Sequence, residues 1–196
     1  TTKRLITFCN ALVGRLRGGL ANISVVGNMI MAGISGSSVA DASALGSIII
    51  PAMKKEGYDA DYAAAVNATA STIGIIIPPS IPMILLGVVA SVSIRDLFIG
   101  GAVPVLVTGL VLMSISTYIA HKRGYPKHGR VSLADALRLT FVCLPALFMP
   151  IAIVGGIVLG IFTPTEAAVI AVVYAMIVGF MIYRELTWRK TLHALY

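Results

Sequence analysis

The sequence is poor in charge. Asp, Glu, Lys and Arg make up only 12% of its 196 residues, against about a quarter in a typical soluble domain. It has two cysteines, Cys9 and Cys143, far apart and set in apolar surroundings. Neither a disulfide framework nor a cysteine metal or redox motif can be built from them. Its three histidines, His121, His128 and His193, lie in basic segments without acidic or cysteine partners at metal-ligand spacing. There is no glycine-rich phosphate loop followed by Lys and Ser/Thr, which excludes a nucleotide-driven engine of that type. Serines are plentiful, but no base accompanies them in the apolar stretches, so an intramembrane hydrolase lacks its activated nucleophile. These absences argue against an enzyme and against a soluble domain.

Apolar residues fill the space instead: 58% of the chain is hydrophobic, and the mean hydropathy is +0.94. A soluble fold of this size has too little interior to hide that surface, so lipid is the expected solvent for most of the chain. The net charge of +7 would suit nucleic acid, but the basic residues sit in short clusters between apolar blocks, as in the loops of membrane proteins. The chain opens on Thr1 rather than Met, and is expected to be a piece of a longer protein.

The clusters divide the sequence into an all-α polytopic membrane protein. Residues 1–17 read as a cytoplasmic-side connecting or interfacial segment, and 18–53 as a re-entrant helical hairpin. Residues 60–94 read as one broken transmembrane helix and 97–120 as a transmembrane helix. A basic cytoplasmic loop with an interfacial segment follows at 121–138. Transmembrane helices at 139–161 and 162–183 precede a cytoplasmic tail, 184–196. The block 18–53 is too long for one spanning helix of about 20 residues. Its middle, Gly33-Ile34-Ser35-Gly36-Ser37-Ser38, is rich in helix breakers. A hairpin that enters and leaves on one side fits, and two thin spanning helices are the alternative. The block 60–94 is also too long, and carries Pro78-Pro79-Ser80-Ile81-Pro82 at its centre. With this layout every Lys and Arg except Arg95 falls on the cytoplasmic side, as the positive-inside rule requires.

Chemistry is expected at the two breaks. Non-helical backbone at membrane depth is tolerated only where it is buried in protein or lines a wet cavity. The tip Ser35-Gly36-Ser37-Ser38 offers hydroxyls and carbonyls, hard donors for a small hard cation. Its amides, at the start of the returning half-helix, suit an anion. Asp41 is an ionisable group in an apolar arm, read as functional or as the cap of the returning half-helix. In the second break, Pro78, Pro79 and Pro82 cannot donate to the carbonyls of Gly74, Ile75 and Pro78. Asn67, Ser71 and Gly74 share one small, polar helical face that lets another backbone approach. Two discontinuous helices meeting at mid-depth are how secondary transporters build ion and substrate sites. Thr163-Pro164-Thr165-Glu166 reads as a capped helix start, or as a source of a ligand in Glu166.

At these residues the sequence resembles a known family. The long run Gly33 to Ala42, with Gly46-Ser47 and Ile50-Pro51-Ala52-Met53, is similar to the large membrane subunit of the tripartite ATP-independent periplasmic (TRAP) transporters. So are Gly57-Tyr58, Ser71-Thr72-Ile73-Gly74, Ile77-Pro78-Pro79-Ser80-Ile81-Pro82, Arg123-Gly124-Tyr125-Pro126 and Thr163-Pro164-Thr165-Glu166. The resemblance implies part of an elevator-type, multi-pass carrier of the bacterial inner membrane. It implies import of an organic anion such as a C4-dicarboxylate or sialic acid, driven by sodium. Its implied partners are a small membrane subunit and a periplasmic substrate-binding protein; no cofactor beyond the coupling ion and no nucleic acid is implied. The implied sodium and substrate neighbourhood comprises Ser35, Gly36, Ser37, Ser38, Asp41, Asn67, Ser71, Thr72, Gly74, Ile77, Pro78 and Pro79. Ile75 stands where many relatives have Pro, and Ser38 where Ala is usual; neither removes the carbonyl donors. The competing readings are an elevator-type sodium/dicarboxylate symporter without a binding protein, and a channel or scaffold subunit. A channel would show a polar stripe along several helices.

Overall fold

Helix-forming apolar runs punctuated by Gly, Ser and Pro produce an all-helical chain. The computed structural model describes residues 8, 9, 13, 18–126 and 133–183, and for residues 133–142 and 146 the backbone alone. No strand occurs among the described residues. Most of segment 1–17, the basic residues 127–130 and the tail 184–196, all placed on the cytoplasmic side by the sequence reading, lie outside them.

The first two helices, α1 (Gly19–Ser35) and α2 (Ser38–Lys55), form the arms of a tight hairpin. Each arm is about 26 Å long at the helical rise per residue. The break between them is smaller than the cluster of Gly and Ser suggests. Gly33 and Ser35 stay helical, and only Gly36 and Ser37 leave the helix. Gly36 takes φ +61 and returns its N–H to the Ala32 carbonyl at 3.0 Å, a left-handed stop that suits glycine. Gly33 serves packing instead: a Cβ there would lie 3.0 Å from Pro150 of a later helix.

The next segment is α3 (Ala60–Ser71), a 3₁₀ turn (Thr72–Ile75), an irregular link, and α4 (Ile81–Val89). The prolines explain the interruption, since each removes a backbone donor. The link also holds a cis Pro78–Pro79 peptide. Ser80 restarts the helix, its Oγ accepting from the Met83 N–H at 3.3 Å.

Helix α5 (Ile94–Lys122) begins three residues before the apolar block read from sequence. Ser93 caps it, accepting from the Asp96 N–H at 3.3 Å, so Arg95 and Asp96 form its first turn rather than a loop. Helix α6 (Leu133–Val158) carries Pro145 and Pro150. Helix α7 (Pro164–Ile177) runs on into a π-helical turn, Val178–Ile182. Thr163 and Glu166 form a reciprocal capping box at its start, which is the helix-start reading of that motif. Among the described residues, Ile94–Lys122 and Pro164–Ile182 are long and apolar enough to cross a membrane.

Three helices end the same way. After α2, α5 and α6 a glycine takes positive φ: Gly57, Gly124 and Gly160. The next N–H reaches back to the carbonyl five residues earlier: Tyr58 to Met53, Tyr125 to Ala120 and Ile161 to Gly156. These are Schellman stops, which satisfy carbonyls that a helix end leaves open.

The hairpin packs on α3, and α1 also lies along α5. Ile23, Leu45, Ile49, Met53 and Tyr62 are buried together at the heart of this bundle. A second cluster, around Phe98, Ile153, Ile157 and Ala167, joins α5 to α6 and α7. The outer faces of α5 and α7 remain apolar and exposed, with Val103, Leu110, Val172 and Met181 among the most open.

Candidate functional site

The fold brings the two breaks into contact. The Ile81 N–H donates to the Gly36 carbonyl at 3.4 Å. Gly36 lies so close to the Pro79 carbonyl that any Cβ would collide with it. On the opposite side of the tip, a Cβ on Gly74 would lie 2.8 Å from Asp41 Oδ2 and 3.4 Å from the Ser38 backbone. Glycine at 36 and 74 is therefore what allows the hairpin tip to sit between the 3₁₀ turn and the proline link.

Asp41 is fully buried in the first turns of α2. It is not the helix cap: Ser37 is, with its Oγ accepting from the Ala40 N–H at 3.5 Å. Ser35 Oγ donates to Asp41 Oδ1 at 2.6 Å, and accepts from the Ser37 N–H at 3.2 Å. Asp41 Oδ2 is buried with no hydrogen-bond partner. A buried carboxylate oxygen left without a partner is costly, and here it faces the Gly74 backbone.

The remaining sequence-derived candidates divide. Asn67, Ser71 and Gly74 are all buried on the face of the broken helix turned to the hairpin. Asn67 Nδ2 donates to the Ala42 carbonyl at 2.9 Å, and its Oδ1 accepts from Asn28 Nδ2 at 3.3 Å and Ser24 Oγ at 3.4 Å. Ser71 bonds back into its own helix, to the Ala68 carbonyl. Thr72 does not join the tip: it is exposed, and its hydroxyl bonds the Thr69 carbonyl at 2.7 Å. Ile77, Pro78 and Pro79 line the link half-buried, and the Ile77 N–H returns to the Ile73 carbonyl at 3.1 Å.

One carbonyl expected to be freed by the prolines is not free. Ser80 Oγ donates to the Ile75 carbonyl at 2.5 Å, replacing the donor that Pro79 lacks. Ser80 is fully buried and was not among the sequence-derived candidates. Its signal is Ser-Ile-Pro, a helix-start pattern with proline just inside the helix. The buried polar residues Asn22, Ser24 and Asn28 of α1 were also missed. They stand in an apolar arm, where a polar side chain needs a partner; Asn22 finds Thr117 Oγ1 of α5 at 2.9 Å.

Among the described residues no cluster of three His, Cys, Asp or Glu side chains occurs. The tip instead gathers one carboxylate, the Ser35 hydroxyl and the carbonyls of Gly36 and Pro79. These are hard oxygens, the ligand type that hard cations take. Beside the tip a cavity of about 230 Å³, lined by Ile34, Ser35, Pro79, Ile81, Ile153 and Pro164, is walled mainly by hydrocarbon.

A separate polar cluster ties the α2–α3 turn to the end of α5. Asp59 Oδ2 accepts from Tyr125 Oη at 2.6 Å and from Arg123 Nη1 at 2.8 Å. These two bonds hold the Asp59 carboxyl below its ordinary range, and the Arg123 guanidinium is raised by the same partners. Tyr58 and Tyr125, the residues after two of the glycine stops, pack with their rings tilted and centroids 4.4 Å apart. Burial pushes the Tyr58 phenol up to about 12.

Helices long and apolar enough to cross a membrane, with no strand among the described residues, are the architecture of a helical membrane protein. Comparison with known proteins gives the family. The chain matches the family described as "Tripartite ATP-independent periplasmic transporter, DctM component" over residues 1–196, and it belongs to that family. It is 40% identical over 189 residues to the sialic acid TRAP transporter permease protein SiaT of Haemophilus influenzae, covering 95% of this chain and 30% of the relative. It is 45% identical over 185 residues to the C4-dicarboxylate TRAP transporter large permease protein DctM of Vibrio cholerae, covering 94% and 41%. It is 42% identical over 187 residues to the isethionate TRAP transporter permease protein DctMQ of Oleidesulfovibrio alaskensis, covering 95% and 29%. The chain thus spans less than half the length of these relatives. The family is one of transport permeases, not enzymes.

Proposed function

We propose that this chain carries half of the ion and substrate site of a sodium-coupled importer of an organic anion. The observation that carries the reading is the double contact of the hairpin tip, with the proline link through Gly36 and with the Gly74 turn through Asp41, a buried carboxylate with one oxygen unpartnered. Sodium needs several hard oxygen ligands. Two unwound segments supply them without accumulating buried negative charge. Residues 18–53 act as a re-entrant hairpin and 60–94 as one broken crossing, with the basic loops cytoplasmic in the bacterial inner membrane. The hairpin and broken helix move together against a fixed scaffold, as in an elevator. The substrate is a carboxylate or a related anion, in keeping with relatives named for sialic acid, C4-dicarboxylate and isethionate. A small membrane subunit and a periplasmic binding protein complete the system, as the tripartite family description supports.

Uptake by the full-length transporter in proteoliposomes tests this. Saturable uptake that requires both sodium and the binding protein is expected. Sodium-independent uptake removes the coupling, and uptake without the binding protein points to a simple symporter.

A further inference from the structure

We propose that Asn67 is a positioning residue, and that its amide sets how closely the hairpin tip approaches the 3₁₀ turn, and with that the place of Asp41 at the tip. The inference rests on the sodium-coupled reading above.

Asn67 is buried where α1, α2 and α3 converge, and both polar atoms of its side chain are engaged by helices. The oxygen accepts from Ser24 and Asn28 of α1. The nitrogen donates to the Ala42 carbonyl of α2, the residue after Asp41. With its amide committed in this way, Asn67 holds other elements rather than an ion. The position of α2 relative to α3 is the position of Asp41 relative to Gly74, seven residues further along the α3 segment. A shift at the Ala42 bond therefore moves the unpartnered Asp41 oxygen directly.

Gly46 gives independent support. A Cβ at this position would lie 2.7 Å from Asn67 Nδ2 and 3.5 Å from its Cγ. Real side chains do not sit that close, so any residue with a Cβ would displace the Asn67 amide from the Ala42 carbonyl. Gly46 is helical and lies one turn after Ala42, and glycine inside a helix is unfavourable without a reason. The reason here is space for the Asn67 amide. Asn28 makes a contrast. It joins α1 to α3 through the same amide, and its own oxygen is buried without a partner, but its side-chain bonds go to Ser24 and Asn67 and not to α2.

The test uses the full-length transporter with its small subunit and binding protein in proteoliposomes. Uptake is measured against sodium concentration for wild type, Asn67→Leu, Asn67→Ala, Gly46→Ala, the double variant and Asn28→Leu, each normalised to folded protein. Asn67→Leu and Gly46→Ala are each expected to raise half-saturating sodium about fivefold, the equivalent of one modest hydrogen bond. Their maximal rates at high sodium should stay near wild type. The double variant, made with Asn67→Ala, should be no worse than Asn67→Ala alone, because the shortened side chain leaves no amide for the added methyl to strike. Asn28→Leu should lower thermal stability with its sodium dependence unchanged. Unchanged half-saturating sodium in both Asn67→Leu and Gly46→Ala, or multiplying effects in the double variant, overturns the positioning role. If Asn67→Leu fails to fold, Gly46→Ala decides alone by the same shift in sodium dependence. Sodium-independent uptake by wild type overturns the proposed function and the clamp together, whereas sodium-dependent wild type with indifferent variants overturns the clamp only.

Discussion

Single glycines do different work in this chain, and substitution separates them. Gly57 and Gly124 have positive φ with open space around the missing Cβ. Alanine there should cost about 1 kcal/mol, from backbone strain alone. Gly36 has positive φ and the Pro79 carbonyl against it, so Gly36→Ala must also force the two breaks apart. Thermal unfolding of the purified full-length transporter should show Gly36→Ala clearly worse than Gly57→Ala. Equal losses would mean that the tip is not held against the proline link. Sequence alone reads Gly33 to Ser38 as a run of helix breakers with its tip at Ser35 to Ser38, because propensity cannot tell a glycine that breaks a helix from one that admits a neighbour. Gly33 is the second kind, and Pro150, which packs on it, is far away in sequence. Asp59 offers a residue-scale test of a different sort. Its folded-state pKa is lowered by Tyr125 and Arg123, so its bonds stabilise the fold above the ordinary carboxylate pKa of about 3.9 and are lost as pH falls through the lowered value. Asp59→Asn should therefore be less stable than wild type near neutral pH, with the difference shrinking below about pH 4. A difference that does not change with pH would mean the carboxylate charge plays no part.

At the scale of elements, existence was legible and termination only partly so. The lengths of the apolar blocks, the Gly and Ser of the first and the prolines of the second announce both discontinuities, whereas the 3₁₀ turn at Thr72–Ile75 is seen only in the fold. What the sequence hides is how the broken helix is repaired. Ser80 both caps α4 and takes up the Ile75 carbonyl, a double role that depends on the turn geometry and not on spacing. Ser80→Ala removes the cap and leaves that carbonyl without this donor. It should lower stability by about 1–2 kcal/mol, read as a fall in melting temperature, while Ser71→Ala, whose hydroxyl serves only its own helix, should change little. A comparable loss in both would assign Ser80 no special place in the link. The two Gly-Tyr stops show a converse case: both motifs are visible in the sequence. Only the fold shows that the Tyr58 and Tyr125 rings pack on each other and that Arg123 bonds Asp59 beside them. That cluster fastens the hairpin and α3 to α5 at one end of the bundle, with each aromatic pair contributing about 0.5–1.5 kcal/mol beyond simple burial.

Among the described residues, the helices α5 and α7 leave apolar outer faces exposed, as helices embedded in a membrane do. Orientation is a matter of charge asymmetry, and reporter fusions in the full-length protein address it. Fusions at Gly124 and at Asp96 should report opposite sides, with Gly124 cytoplasmic. Like signals, or the reverse, contradict the layout. The central claim is that the hairpin tip and the proline link together hold sodium. The most direct test is uptake by the full-length transporter against sodium concentration, for wild type and for Pro78→Ala combined with Pro79→Ala. The substitutions return donors to the Gly74 and Ile75 carbonyls and draw the link toward continuous helix, pulling the Pro79 carbonyl away from Gly36. Half-saturating sodium should rise by about tenfold, a loss of about 1.4 kcal/mol, with the binding protein still docking. A double variant with wild-type sodium dependence and normal rate would contradict the account.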